Sequence, residues 1–148
     1  MKDQFVIGLD YGSDSVRCLI VGTADGAEIA SAVAAYPRWK KRLYCDPSLN
    51  RYRQHPLDYI ESLEQCVCEA LEKCGKEVAD NICGISFDTT ASTPALTDER
   101  GVPLALLPEY AENPDAMFVL WKDHTALAEA DEINDLAKRW EVDYTRYS

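Results

Sequence analysis

Several features that would mark a membrane, secreted, metal-binding or nucleic-acid-binding protein are missing from this sequence. No apolar run approaches the roughly 20 residues needed to cross a bilayer. Positive charge is scarce: 15 Lys and Arg stand against 26 Asp and Glu, a net charge of −11. Nucleic-acid binding draws most of its affinity from cations that neutralise phosphates, so nucleic acid is a poor partner. Six cysteines are present, but none forms a C-x-x-C pair, and His55 and His124 stand in no metal-ligand spacing with them. There is no G-x-x-x-x-G-K loop, no internal repeat and no low-complexity segment. The opening Met1-Lys2-Asp3-Gln4 leads straight into a short apolar run and does not read as a secretory leader. These absences predict a cytoplasmic protein with no membrane partner and with reduced thiols, most of them small core residues.

What is present is the balance of a globular domain: 148 residues, 47% apolar and 28% charged. Phe5 to Asp10, Val16 to Val21 and Ala27 to Tyr36 are strand-length runs separated by Tyr11–Ser15 and Ala24-Asp25-Gly26. They predict a three-stranded antiparallel meander. Pro37 ends the third strand. Pro56 suits the first turn of a helix, with Asp58 and Glu61 near its positive end. Leu57, Ile60, Leu63, Val67, Leu71 and Cys74 form one apolar stripe, and Gly75 is a stop. Ile82 to Phe87 reads as a buried strand, and residues 94–107 read as a hairpin around Asp98–Gly101. Ala126, Ala130, Ile133, Ala137 and Trp140 mark a last amphipathic helix. Three antiparallel strands, a helix and a strand parallel to the first is the order of ribonuclease-H-like and actin-like α/β domains, a fold-level analogy.

Residues 38–54 show no periodicity and run against the overall charge. Arg38, Lys40, Lys41, Arg42, Arg51 and Arg53 face a single acid, Asp46. A segment of this length is a solvated surface loop or a docking surface for further chain or for a second subunit.

Three clusters could carry chemistry. Asp10-Tyr11-Gly12-Ser13-Asp14-Ser15 puts a carboxylate at a strand end before a tight turn whose N–H groups could bind oxyanions. By itself it is also an ordinary hairpin turn. Asp88 to Pro94 places small polar residues at the end of another strand. If that strand neighbours the first, Asp88 and Asp10 share a crevice at the carboxyl ends of parallel strands; a capped turn is the plainer alternative. Trp121-Lys122-Asp123-His124 sets a flat ring beside a carboxylate, which suits a sugar. It equally suits a core anchor and a helix N-terminal acid.

Taken together and in order, the clusters resemble the FGGY carbohydrate kinases, and within them the ribulose-phosphorylating members. The resemblance is carried by Gly8 to Arg17, Tyr36-Pro37-Arg38-Trp39, His55 to Glu61, Ser92-Thr93-Pro94 and, above all, Glu112 to Thr125. It implies an actin-like ATPase fold and transfer of phosphate from ATP, with Mg2+, to a terminal hydroxyl of ribulose. By the same resemblance Asp10 lies near magnesium. Gly12, Ser13, Asp14 and Ser15 match the first phosphate loop. Thr90, Ala91 and Ser92 line the sugar, as do Trp121 and Asp123. The 148 residues would be the first part of the first of two domains, ending at Tyr147-Ser148 short of the catalytic base and nucleotide clamp. They would be inactive alone and would need the remainder of the chain as partner.

A second class fits some of the same residues. Ribonuclease-H-like nucleases hold two metals on strand and helix carboxylates. Asp10 and Asp88, with Glu61 or Glu64 from the helix, could form such a set, although the acidic composition opposes it. A non-catalytic actin-like binding module is the third reading.

Overall fold

The computed structural model describes residues 3–140 and 142. Three strands come first: β1 (Phe5–Tyr11), β2 (Ser15–Gly22) and β3 (Glu28–Ala35). They form the expected meander, with Leu9 opposite Cys18 and Cys18 opposite Ala32. A short helix α1 (Pro37–Lys40) and two short strands, β4 (Cys45–Asp46) and β5 (Arg51–Gln54), precede the long helix α2 (Pro56–Cys74). A turn of helix, α3 (Lys76–Ala79), leads to β6 (Ile82–Thr89), which runs parallel to β1. The sheet order is therefore β3-β2-β1-β6, the arrangement expected by fold-level analogy. Strand β7 (Phe118–Val119) and helix α4 (Leu127–Ala137) follow.

Side chains alternate across a strand. Ile7, Leu9 and Tyr11 on β1, Val16, Cys18 and Ile20 on β2, and Ala30, Ala32 and Ala34 on β3 are all buried on the face that α2 covers. The helix is anchored at both ends as expected: Pro56 opens it, His55 accepts the Leu57 N–H at Nδ1 (3.1 Å), and Gly75 ends it at φ +78°. Its buried line, however, is Asp58, Ser62, Cys66 and Ala70, while Ile60 is exposed. The apolar stripe read from the sequence flanks that line. Small residues occupy the centre because the helix lies close on the alanines of β3. The Cys66 thiol donates toward the carbonyls of Ala32 (3.2 Å) and Val16 (3.4 Å).

Four expectations need correction. Strand β6 is not buried: α2 packs over β2 and β3, and Ile85 and Phe87 remain 54% and 56% exposed. The hairpin at 94–107 shrinks to a turn with one bridge, Thr97 to Pro103, closed by Asp98 N–H to the Val102 carbonyl (2.9 Å). Segment 38–54 is neither irregular nor uniformly solvated. Its strands join β7 in a second sheet, β4-β5-β7, Arg53 is buried, and the Asp58 carboxylate caps α1 through the N–H groups of Arg38 and Trp39. The thiols divide: Cys18 and Cys66 are buried, whereas Cys68 and Cys83 are exposed. Helix α4 is where the periodicity put it, yet only Ala137 on it is buried. Met1, Lys2, Tyr147 and Ser148, which entered the reading of the two ends, lie outside the described residues. Among the described residues no helix is long and apolar enough to cross a membrane.

Candidate functional site

The face of the sheet turned away from α2 carries the acidic pair. Asp10 is the register partner of Asp88 on β6 and of Arg17 on β2. Asp10, Arg17 and Asp88 line a cavity of about 330 Å³ whose floor includes Gly8 and Ser86. Two carboxylates thus stand on neighbouring strands, with the Arg17 guanidinium as a counter-charge on the third. Among the described residues no group of three or more His, Cys, Asp or Glu could enclose a metal, so an ion here would keep much of its water, the habit of Mg2+.

The Gly12–Asp14 turn ends the same strand. Its carbonyls are all taken: Gly12 by the Tyr36 hydroxyl (3.1 Å), Ser13 by the Gln54 amide (2.7 Å) and Asp14 by the Tyr36 N–H (2.9 Å). The Gly12 N–H donates to the Ser15 carbonyl (2.9 Å) and Ser15 Oγ to Asp14 Oδ1 (3.0 Å). The N–H groups of Ser13 and Asp14 have no partner among the described residues. Acceptors are tied inward and donors left over, the polarity an anion-binding turn requires. Gly12 is not held at positive φ. A Cβ there would lie 3.4 Å from the Ser15 carbonyl, an ordinary van der Waals contact.

At the end of β6, Thr90 N–H bonds to the Tyr11 carbonyl (3.1 Å), which holds the bend beside the turn. Thr90 and Thr93 line a cavity of about 320 Å³ with Tyr11, Tyr59, Leu63 and Phe118. Ala91 and Ser92 are exposed and do not line it, although Ser92 sits at φ +56°, an uncommon conformation for a non-glycine residue. The Tyr59 ring stacks on Tyr11 (5.4 Å) and on Tyr36 (4.9 Å). Burial pushes its phenol up to about 12, against the opposing hydrogen bond of Thr90, so its hydroxyl remains a donor.

Trp121 and Asp123 are separated by their surroundings. Trp121 is 59% exposed, which removes the core-anchor alternative. Asp123 is enclosed. One oxygen accepts from Tyr52 N–H (2.7 Å) and Arg53 Nε (2.8 Å), the other from the N–H (3.0 Å) and hydroxyl (2.6 Å) of Thr125. Burial alone would raise its pKa, but these donors outweigh burial and hold it well below the usual carboxylate range. In this arrangement Asp123 locks β5 to the loop after β7 and positions the segment that carries Trp121.

The residues that hold the site together include several the sequence reading passed over. Gln54, almost fully buried, donates to Ser13 and accepts from the Tyr59 hydroxyl (2.6 Å), which ties the turn to the tyrosine stack. Tyr36 acts in the same way, and Arg53 ties β5 to Asp123 and Thr125. No spacing distinguishes them, because their partners lie far away in sequence.

No family model matches the chain. Among curated proteins, it is 54% identical over 145 residues to the ribulokinase of Vibrio parahaemolyticus, covering 97% of this chain and 26% of that one. It is 37% identical over 157 positions to the ribulokinase of Halalkalibacterium halodurans (99% and 27%), and 38% over 144 to that of Mycolicibacterium smegmatis (90% and 25%). A gluconate kinase from Lactobacillus acidophilus superposes with a TM-score of 0.64 at 13% identity, over 91% of this chain and 23% of that structure, a likeness of fold. The fold is thus the mixed α/β arrangement found within a sugar kinase. The chain resembles the ribulokinases along nearly its whole length and spans about a quarter of theirs.

Proposed function

We propose that these residues form the phosphate end of a sugar kinase that transfers phosphate from ATP to ribulose, on the L-ribulose to L-ribulose 5-phosphate pattern of arabinose catabolism. The observation that carries this reading is the 54% identity to a ribulokinase, maintained over 97% of the chain. The geometry is compatible with it. Two unpaired amides on the Ser13–Asp14 turn stand at the end of the strand that carries Asp10, beside Asp88. In this reading the turn would hold phosphate oxygens, Asp10 and Asp88 would hold Mg2+, and Thr90 with the exposed ring of Trp121 would border the sugar. When bound, the metal neutralises charge on the phosphates. Asp10 and Asp88 orient it, and Gln54 and Tyr36 fix the turn so that no reorganisation is needed as charge develops. Among the described residues none is placed as a base for the sugar hydroxyl, so the 148 residues alone are not expected to turn over. The six free thiols suit a reducing, cytoplasmic setting.

The nuclease alternative fares worse. Glu61 lies on α2, across the sheet from Asp10 and Asp88, and is bound to Arg38 at 2.7 Å. Glu64, on the same helix, is likewise away from the acidic pair.

The test is ATP- and Mg2+-dependent phosphorylation of L-ribulose, run on this chain and on a version extended to the relatives' length. Turnover by the longer protein alone is expected. Activity on another polyol instead would refute the substrate, and inactivity on all polyols would refute the kinase.

A further inference from the structure

A cavity of about 590 Å³, larger than the two described above, belongs to neither proposed subsite. It lies between the end of β3, α1, β4 and the loop after β7, and Asp14 is its only contact with the phosphate turn. Its lining includes Lys40, Arg42 and Lys122 together with the rings of Trp39 and Tyr52. The two rings are 6.5 Å apart, and Lys122 Nζ lies over both, 4.9 Å from Trp39 and 4.4 Å from Tyr52.

The charges here are unlike the others in the segment. Arg38 is paired with Asp58 and Glu61, and Arg53 with Asp115 and Asp123. Lys40, Arg42 and Lys122 have no ion pair among the described residues, and Arg51 Nε, buried nearby, has no hydrogen-bond partner. Arg42 and Lys122 line the cavity with Cys45, whose thiol burial pushes up while the charges of Lys122, Arg42 and Arg51 oppose that rise. Arg42 is held at φ +57° and Tyr44 at φ +63°, conformations that cost energy in non-glycine residues and recur where a binding element is fixed. In a chain of net charge −11, Lys40 and Arg42 without ion pairs, beside a Lys122 that rests on the two rings, need a reason. An anion supplies it. The volume falls in the range of small-molecule sites and exceeds that of a bare phosphate, and the aromatic wall offers an apolar surface to C–H groups.

We propose that this cavity binds a phosphorylated small molecule, with the phosphate held by Lys40, Arg42 and Lys122 and the carbon skeleton laid against Trp39 and Tyr52. The site is independent of the kinase reading and needs no metal.

Calorimetric titration of this chain in EDTA tests it, with ribose 5-phosphate, inorganic phosphate and ribose as probes. Saturable binding of ribose 5-phosphate is expected, weaker binding of inorganic phosphate, and none of ribose. The exposed pair K40Q/R42Q should weaken both anions by about tenfold or more. K122Q should act in the same direction, and W39A should weaken ribose 5-phosphate more than inorganic phosphate. K76Q, a distant surface cation, should change nothing, and circular dichroism checks that each variant is folded. No saturable binding of either anion, or full affinity in K40Q/R42Q, would overturn the proposal. Loss of binding in D10N would reassign the anion to the acidic-pair cavity and overturn it as well. Equal affinity for the two anions would remove the aromatic wall from the site.

Discussion

His55 is confined to one tautomer by its neighbours. Nδ1 accepts the Leu57 N–H, so the proton sits on Nε2 and is donated to the Ala111 carbonyl (3.1 Å). Burial is the main cause that lowers its pKa below the ordinary value, with the charge of Arg38 adding to it. A group whose folded pKa is depressed contributes stability above its unfolded pKa and loses it as pH falls through the folded value. Urea unfolding is therefore expected to show stability falling below about pH 6.5, the unperturbed histidine value. H55N, which can keep the cap, should flatten that limb; an unchanged slope would mean another group is responsible. Asp123 acts at lower pH by the same sign: its contribution is complete above the unfolded value near pH 4 and is lost only in stronger acid. D123A removes the buried partner of Arg53 and leaves it only the longer contact to the exposed Asp115, and should cost about 3–5 kcal/mol by chemical denaturation. A loss under about 1 kcal/mol, the worth of a surface pair, would contradict that role. The sequence marked Asp123 as a candidate but could not show its engagement, because Tyr52 and Arg53 lie about 70 positions earlier in the chain.

At the scale of elements, legibility followed local signals. Strands β1 to β3, helix α2 with its proline start and glycine stop, and the run that forms β6 were readable because turn residues and periodicity bracket them, whereas the parallel return of β6 beside β1 came only from fold-level analogy. The β4-β5-β7 sheet was not, since β4 and β7 have two residues each and no period, and β5 pairs with β7 across more than 60 positions. The helical stripe misled for a related reason: burial is set by the partner, and the alanines of β3 admit a small-residue line. C66L should therefore overpack that line and cost about 1–3 kcal/mol, whereas I60S, at an exposed position, should be near neutral. Equal costs in thermal or urea unfolding would place α2 differently on the sheet.

Across the whole molecule, apolar surface is left open on two elements. Ile85 and Phe87 on β6 and Ile133 and Leu136 on α4 are all at least 45% exposed. The curated relatives are about four times as long, and in a chain of that length these faces are expected to be covered. I85T/F87T in the present chain should reduce binding of a hydrophobic dye with little loss of stability. The same substitutions should destabilise the longer protein; the reverse pattern would mean that β6 is solvated in both. The candidate site was legible in part at this scale. Asp10 and Asp88 could be paired once strands one and four were taken as neighbours, but the tyrosine stack and Gln54 that hold the turn exist only in three dimensions.

The most direct test is the turnover number of D10N in the longer protein, assayed with L-ribulose, ATP and Mg2+. Asp10 lies exposed on the open face, so the variant should fold. A fall of about a hundredfold or more is expected if the acidic pair positions the metal and phosphates. A rate within a few-fold of the parent would contradict the assignment of this face as the phosphate end of the site.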